Sequence, residues 1–121
     1  MIASLGIGRN AEVFNINADT TAATIAKELN ADALFLATKV GALFRDLSDR
    51  SSRIKQLDAH QSEKFIEAGV INDGMIPKVQ EALAVVNDGV SVVAVCNAAV
   101  TGCFLSLIDE KDNYGTRFLA D

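Results

Sequence analysis

An α/β fold built on a mainly parallel sheet, with helices on both faces in an α-β-α sandwich, is the architecture this sequence predicts. Three observations carry that prediction. Short apolar runs alternate along the chain with segments of helical periodicity. The run Ala33-Leu34-Phe35-Leu36-Ala37 is continuously apolar, as in a strand covered on both faces. Val90 to Cys96 is rich in β-branched residues and reads as the strongest strand.

Taken in order, Ile2 to Ile7 reads as a strand, followed by a turn at Gly8-Arg9-Asn10 and a short return through Glu12 to Phe14. From Ala18 to Leu29, Ala22, Ala23, Ile25, Ala26 and Leu29 recur at helical spacing. So many alanines imply close packing on a sheet. After the Ala33–Ala37 strand, residues 45 to 55 are dominated by Asp and Ser, which favour turns, and predict a surface excursion. Asp58 with Gln61 forms a capping-box pattern for a helix to about Ala68, ended by Gly69. A second helix is expected to start near Ile76, with Pro77 in its first turn, where the missing N–H costs nothing. Val79, Leu83 and Val86 stripe one face of it beside Ala82, and Gly89 stops it. Asn97 is the expected cap of a last helix containing Val100, Phe104 and Leu107. A polar turn over 109 to 113 then leads to a final strand over 115 to 119.

Composition bounds the function. The chain has 121 residues, enough for one domain, with 50% hydrophobic and 22% charged residues, which excludes a disordered chain. A formal net charge of −5 leaves no basic footprint, so nucleic acid is not an expected partner. No apolar run approaches the roughly 18–20 residues of a membrane span, and no signal peptide is evident. Cytoplasm is the expected compartment. Cys96 and Cys103 lack metal-site spacing and are expected as buried apolar fillers. His60, the single histidine, reads as a solvated helix-end residue, and no metal ligated by side chains of this chain is expected.

Candidate chemistry gathers where strands lead into helices, because parallel α/β sheets bind ligands at the carboxyl ends of their strands. Three segments qualify: Phe14 to Asp19, Thr38 to Gly41 and Asn72 to Lys78. Two of them open helices, whose N-terminal N–H groups favour anions. Lys78 sits in a first turn, where a cation is unfavourable against the helix dipole, so a bound anion is one reason for it; a solvated surface lysine is the other. Asp19 suits a first turn on propensity alone, and Asn15 and Asn17 read equally as turn and cap residues.

The segments Asn15-Ile16-Asn17-Ala18-Asp19, Ala33 to Val40, Gly69 to Val79 with its Gly74-Met75-Ile76-Pro77-Lys78 core, and Gly115-Thr116-Arg117-Phe118 resemble, in this order, the acetylglutamate kinase branch of the amino acid kinase family. The resemblance implies ATP-dependent phosphoryl transfer, with Mg2+, to the side-chain carboxylate of an N-acetylglutamate-like acid in arginine biosynthesis. On that reading Asn15 holds the substrate α-carboxylate, and Asp19 orients the catalytic lysines. Lys78 steadies the transferring phosphoryl group, and Thr38, Lys39, Val40, Gly74 and Met75 border the nucleotide.

Some residues depart from the family pattern. Lys39 stands where such kinases carry Asp, in a Thr-Lys-Val triplet similar to the uridylate kinase branch, and Asn97-Ala98-Ala99 replaces an Asp-Gly-Arg-like turn. The family's glycine-rich phosphate loop has no counterpart here, since Leu5-Gly6-Ile7-Gly8 is only a weak glycine pair. The resemblance is therefore to the carboxyl-terminal, ATP-binding half over residues 1–121. It implies a homo-oligomer or a complementary amino-terminal chain as partner. A non-catalytic nucleotide-binding or regulatory remnant is the alternative.

Overall fold

The computed structural model describes residues 1–72, 74–109, 111 and 114–121. Its central sheet has four strands in the order β3-β7-β8-β6, formed by Ala33–Ala37, Val92–Cys96, Thr116–Phe118 and Gln56–Leu57. β3 and β7 are parallel from Ala33↔Val92 to Ala37↔Cys96, β8 runs antiparallel to β7, and β6 is parallel to β8. The sheet is mixed but mostly parallel, as the sequence predicts.

Alternation along β7 builds the layers. Val93 and Val95 face a core that contains Ala23 and Ala26 of helix α1 (Ala18–Glu28) and Val79, Ala82, Val85 and Val86 of α3 (Ile76–Asn87). Ala94 and Cys96 point the other way, onto Cys103 and Leu107 of α4 (Cys103–Ile108). Helices therefore cover both faces, and burying each of these valines contributes roughly 1.5–3 kcal/mol. Helix α2 (Ala59–Glu67) packs beside α3, its N-terminus capped by Asp58, whose Oδ1 accepts from the Gln61 N–H at 2.6 Å. Gly69 ends α2 with φ +70°.

The remaining strands are short. β1 (Leu5–Ile7) and β2 (Val13–Asn15) form an antiparallel hairpin outside the central sheet, so the expected strand from Ile2 is shorter and pairs only locally. The polar stretch from Arg45 to Lys55 is a surface excursion, but it closes a second hairpin that its composition hides. β4 (Leu43–Phe44) pairs with β5 (Arg53–Ile54) around a 3-10 turn at Arg50–Ser52. Buried Thr116 joins this hairpin to the sheet, donating to the Ile54 carbonyl at 2.6 Å and accepting from the Leu43 N–H at 2.9 Å.

Two expectations are corrected. β3 is not covered throughout: only Leu36 of its five residues is buried, because among the described residues β3 is an edge strand with β7 as its neighbour. Asn97 does not cap the last helix. Its Oδ1 accepts from the Ala99 N–H at 3.0 Å in a local turn, and α4 begins later, behind left-handed Gly102. An Asx turn competes with a helix cap for the same side chain. The expected turn over 109 to 113 lies largely outside the described residues, as does Asp73 of the Gly69–Val79 segment.

Candidate functional site

The first turns of α1 and α3 meet. Lys78 Nζ donates to Asp19 Oδ2 at 2.5 Å, with Lys78 16% and Asp19 32% exposed. Thr20 Oγ1 donates to Glu81 Oε1 one position further along α1. Lys27 pairs with Asp88 at 2.5 Å near the other ends. First turn contacts first turn and last contacts last, so the two helices run the same way and open at the same edge of the sheet.

That edge is the carboxyl end of β3 and β7, where the Thr38 N–H donates to the Cys96 carbonyl at 2.8 Å. The three segments singled out in the sequence therefore converge.

The two helix starts differ in what they offer an anion. At α1, Asn17 Oδ1 accepts from the N–H groups of Asp19 (2.8 Å) and Thr20 (3.3 Å), so the helix is capped by its own chain. At α3 the cap position is Met75, which makes no side-chain cap bond, and Pro77 follows. The Met75 and Ile76 N–H groups both donate to the Asn72 carbonyl, at 2.8 and 3.1 Å, and Pro77 has none, so what this start offers an anion is the Lys78 ammonium. Lys78 there works against the helix dipole, and the Asp19 carboxylate opposite compensates it. Without an anion, the ion pair itself satisfies both groups.

An apolar cleft of about 220 Å³ opens next to this pair. Thr38, Val40, Leu43 and Leu47 form one wall, and Val70, Ile71, Asn72 and Met75 the other. Met75 precedes Lys78 by three residues, about 5 Å along a helix axis, so the cleft and the ammonium lie within the span of one nucleotide. Asn72 opens one of the three segments singled out in the sequence, whereas Leu43, Leu47, Val70 and Ile71 were not legible as site residues. They read as ordinary core or loop positions, and only the fold of the β4–β5 hairpin over the start of α3 makes them a wall.

Thr38 Oγ1 accepts from the Gly41 N–H at 2.9 Å and closes the loop after β3. Gly41 has φ +85°, and a Cβ there would lie 2.8 Å from Asn97 Cβ, so only glycine lets this loop approach the turn after β7. Lys39 lines a second cleft of about 400 Å³ with Arg50, Arg53, Asn97 and Tyr114, which adjoins the apolar one and shares Val40, Ala42 and Phe44 with it. Gly74 is exposed, with nothing within 4 Å of where its Cβ would stand. Asn15 ends β2, exposed, opposite Leu5.

Among the described residues no cluster of three His, Cys, Asp or Glu side chains is placed to hold a metal, and no helix is long and apolar enough to cross a membrane. His60 is exposed, and Cys96 and Cys103 are buried free thiols. Burial, reinforced by hydrogen bonding to Cys103, pushes the Cys96 thiol up to about 12, which suits packing rather than nucleophilic chemistry.

Comparison with known proteins adds to this geometry. The family model described as Amino acid kinase family matches residues 1–97. Acetylglutamate kinase of Clostridioides difficile (strain 630) is 37% identical over 116 residues, which cover 96% of this chain and 41% of that protein. The crystal structure of smu.665 from Streptococcus mutans UA159 superposes with a TM-score of 0.74 at 31% identity, covering 99% of this chain and 42% of that one. Carbamate kinase from Giardia lamblia bound to AMP-PNP matches with a TM-score of 0.65 at 18% identity over 97% of this chain and 41% of that one, a likeness of fold alone. The chain spans about two fifths of the length of the curated relatives it matches.

Proposed function

Because the chain belongs to the amino acid kinase family, we propose that it is the nucleotide-binding portion of an acetylglutamate kinase-like phosphotransferase. The observation that carries this reading is the Asp19–Lys78 pair at the start of α3, within a nucleotide's length of an apolar cleft.

In this reading the adenine enters the cleft between Val40 and Ile71, with Thr38 and Asn72 as polar contacts at its walls. The triphosphate runs past Gly74 and Met75 toward the α3 N-terminus. Lys78 turns from Asp19 to the γ-phosphoryl group, and the Asp19 carboxylate limits how far the ammonium can travel. A carboxylate oxygen of the N-acetylglutamate side chain attacks the γ-phosphorus, and the bond to the β-phosphate bridging oxygen breaks. An acyl phosphate and ADP result.

Charge spreads over the phosphoryl oxygens in the transition state, so fixed donors and an ammonium carry most of the catalysis. Asn15, at the end of the β1–β2 hairpin, receives the substrate α-carboxylate. Magnesium, when bound with ATP, would be held through phosphate oxygens and water rather than by a protein cage, and would neutralise phosphate charge. The other residues contacting the acid come from a complementary amino-terminal half, or from a second copy of this chain.

The test is acyl phosphate formation, trapped as the hydroxamate, from ATP and N-acetylglutamate, with and without an added amino-terminal half. Activity in the reconstituted pair, reduced roughly 10²–10³-fold by Lys78→Ala, is the expected result. No product from a folded pair would overturn the proposal. A second reading, a nucleotide-binding remnant without catalysis, is favoured by Lys39, a cation where the family pattern has a carboxylate. ATP binding without turnover in that pair would select it.

A further inference from the structure

We infer that Glu81 is a positioning residue for the Asp19–Lys78 pair, acting through Thr20 to set the separation between the first turns of α1 and α3. The inference deepens the reading of this site as a phosphoryl-transfer centre and rests on it for its functional meaning. Its structural content stands alone.

Glu81 follows Lys78 by three residues on α3, so the two side chains share a face. Thr20 directly follows Asp19 on α1. Two cross-ties therefore bridge the same pair of helices, one turn apart on α3: Lys78 to Asp19, and Glu81 to Thr20. They differ in stiffness. Lys78 reaches Asp19 through a long flexible stem, and alone such a contact tolerates a range of helix separations. The Thr20 hydroxyl is one torsion from its backbone, as a serine hydroxyl would be, and the Glu81 stem is shorter than the lysine one, so this tie spans fewer rotatable bonds. The second tie is the one that fixes distance.

The state of the Glu81 carboxylate supports a specific role. Oε1 accepts from Thr20, whereas Oε2 is buried with no hydrogen-bond partner. A half-satisfied carboxylate is a costly occupant for a packed helix face, where an alanine or leucine would cost nothing of this kind. The neighbouring packing on α3 is otherwise apolar, with Val79, Ala82 and Leu83 buried. The carboxylate makes one cross-helix bond there, and that bond sits beside the ammonium. Without it, α1 and α3 remain packed through Ala23, Ala26 and Val79 and tied at their far ends by Lys27 and Asp88, but their first turns can shift, and Asp19 loses its fixed register on Lys78.

The role assigned is hydrogen bonding by an acceptor oxygen, not charge, so the conservative variants separate it from general stability. Glu81→Gln and Thr20→Ser keep an acceptor and a donor; Glu81→Leu and Thr20→Val do not. The readout is the side-chain ammonium resonance of Lys78 in ¹⁵N NMR of the full chain, assigned with Lys78→Met, since a held ammonium exchanges slowly and a solvated one does not. The expected result is a protected Lys78 signal in the wild type, Glu81→Gln and Thr20→Ser, lost in Glu81→Leu and Thr20→Val.

A double-mutant cycle on Asp19 and Lys78, read by urea unfolding, gives the same coupling independently. It should fall by about half or more in the Thr20→Val background. Thr20 is exposed, so that variant folds even where Glu81→Leu does not. A Lys78 signal and coupling unchanged by Thr20→Val, or a signal absent from the wild type, would overturn the inference. Neither readout involves ATP, so a chain that binds no nucleotide leaves this result standing and counts only against the proposed function.

Discussion

Substituting Gly41 by alanine tests whether the loop after β3 is held where it is by close approach to the turn after β7. Two costs follow from the structure. The residue has φ +85°, a left-handed conformation that costs an L-residue about 1–2 kcal/mol. Its new Cβ would lie 2.8 Å from Asn97 Cβ and 3.3 Å from Asn97 N, and relieving such overpacking costs roughly 1–3 kcal/mol. Together they predict a loss of about 2–5 kcal/mol, a large share of the roughly 5–15 kcal/mol that holds a domain of this size.

Gly69→Ala is the internal control. Its φ is +70°, but nothing lies within 4 Å of the added carbon, so only the backbone cost of about 1–2 kcal/mol applies. Urea denaturation of both variants at equal m-value reads the difference directly. With about 0.25 kcal/mol per degree of unfolding entropy for this length, Gly41→Ala should also melt roughly 8–20 °C below the wild type. Equal destabilisation by the two substitutions would refute the packing argument, and with it the account of why this loop borders the cleft.

Other expectations concern the core, the cleft and the thiols. Leu57 of β6 is fully buried in the main core, so Leu57→Ala should cost about 2–5 kcal/mol in urea unfolding; a loss below about 1 kcal/mol would contradict its placement. Val40 is 45% exposed and lines the apolar cleft. Val40→Glu should leave stability nearly unchanged and weaken ATP about tenfold in calorimetry, because it sets a charge that must be desolvated against the apolar adenine site; unchanged affinity would remove the cleft from the nucleotide path. The Cys96 thiol is raised from 9.0 to about 12 in the folded chain, first by burial. A raised native value means the stability it contributes is complete below about pH 9 and is lost as pH climbs toward about 12. Iodoacetamide at about pH 8 should therefore spare Cys96 in the native protein and label it in urea; rapid native labelling would contradict that burial.

Much of this was legible in the sequence where one residue's chemistry decides the local structure. Asp58 with Gln61, Pro77 and Gly89 mark helix ends through hydrogen-bond supply and backbone freedom, and α2 and α3 fall where these residues put them. The meeting of Asp19 and Lys78 followed from a general rule about strand ends rather than from either residue. What stayed hidden depends on non-local contacts. The two-residue strands β4 and β5 carry no periodicity, and they exist because Thr116, more than sixty residues on, bonds both. The cleft that Leu43, Leu47 and Val70 line from its two sides was hidden for the same reason. Asn97 suited a helix cap and a turn equally, and the left-handed Gly102 decided between them.

The central claim is that one nucleotide is shared between the apolar cleft and Lys78. Calorimetric titration of the chain with magnesium-ATP and, separately, with adenosine, before and after Lys78→Met, tests it most directly. A charge-assisted contact to phosphate is worth about 1.5–3 kcal/mol, so ATP should weaken roughly 10–100-fold while adenosine binds both proteins alike. Equal ATP affinity in the two proteins, or no ATP binding by the folded wild type, would contradict the account.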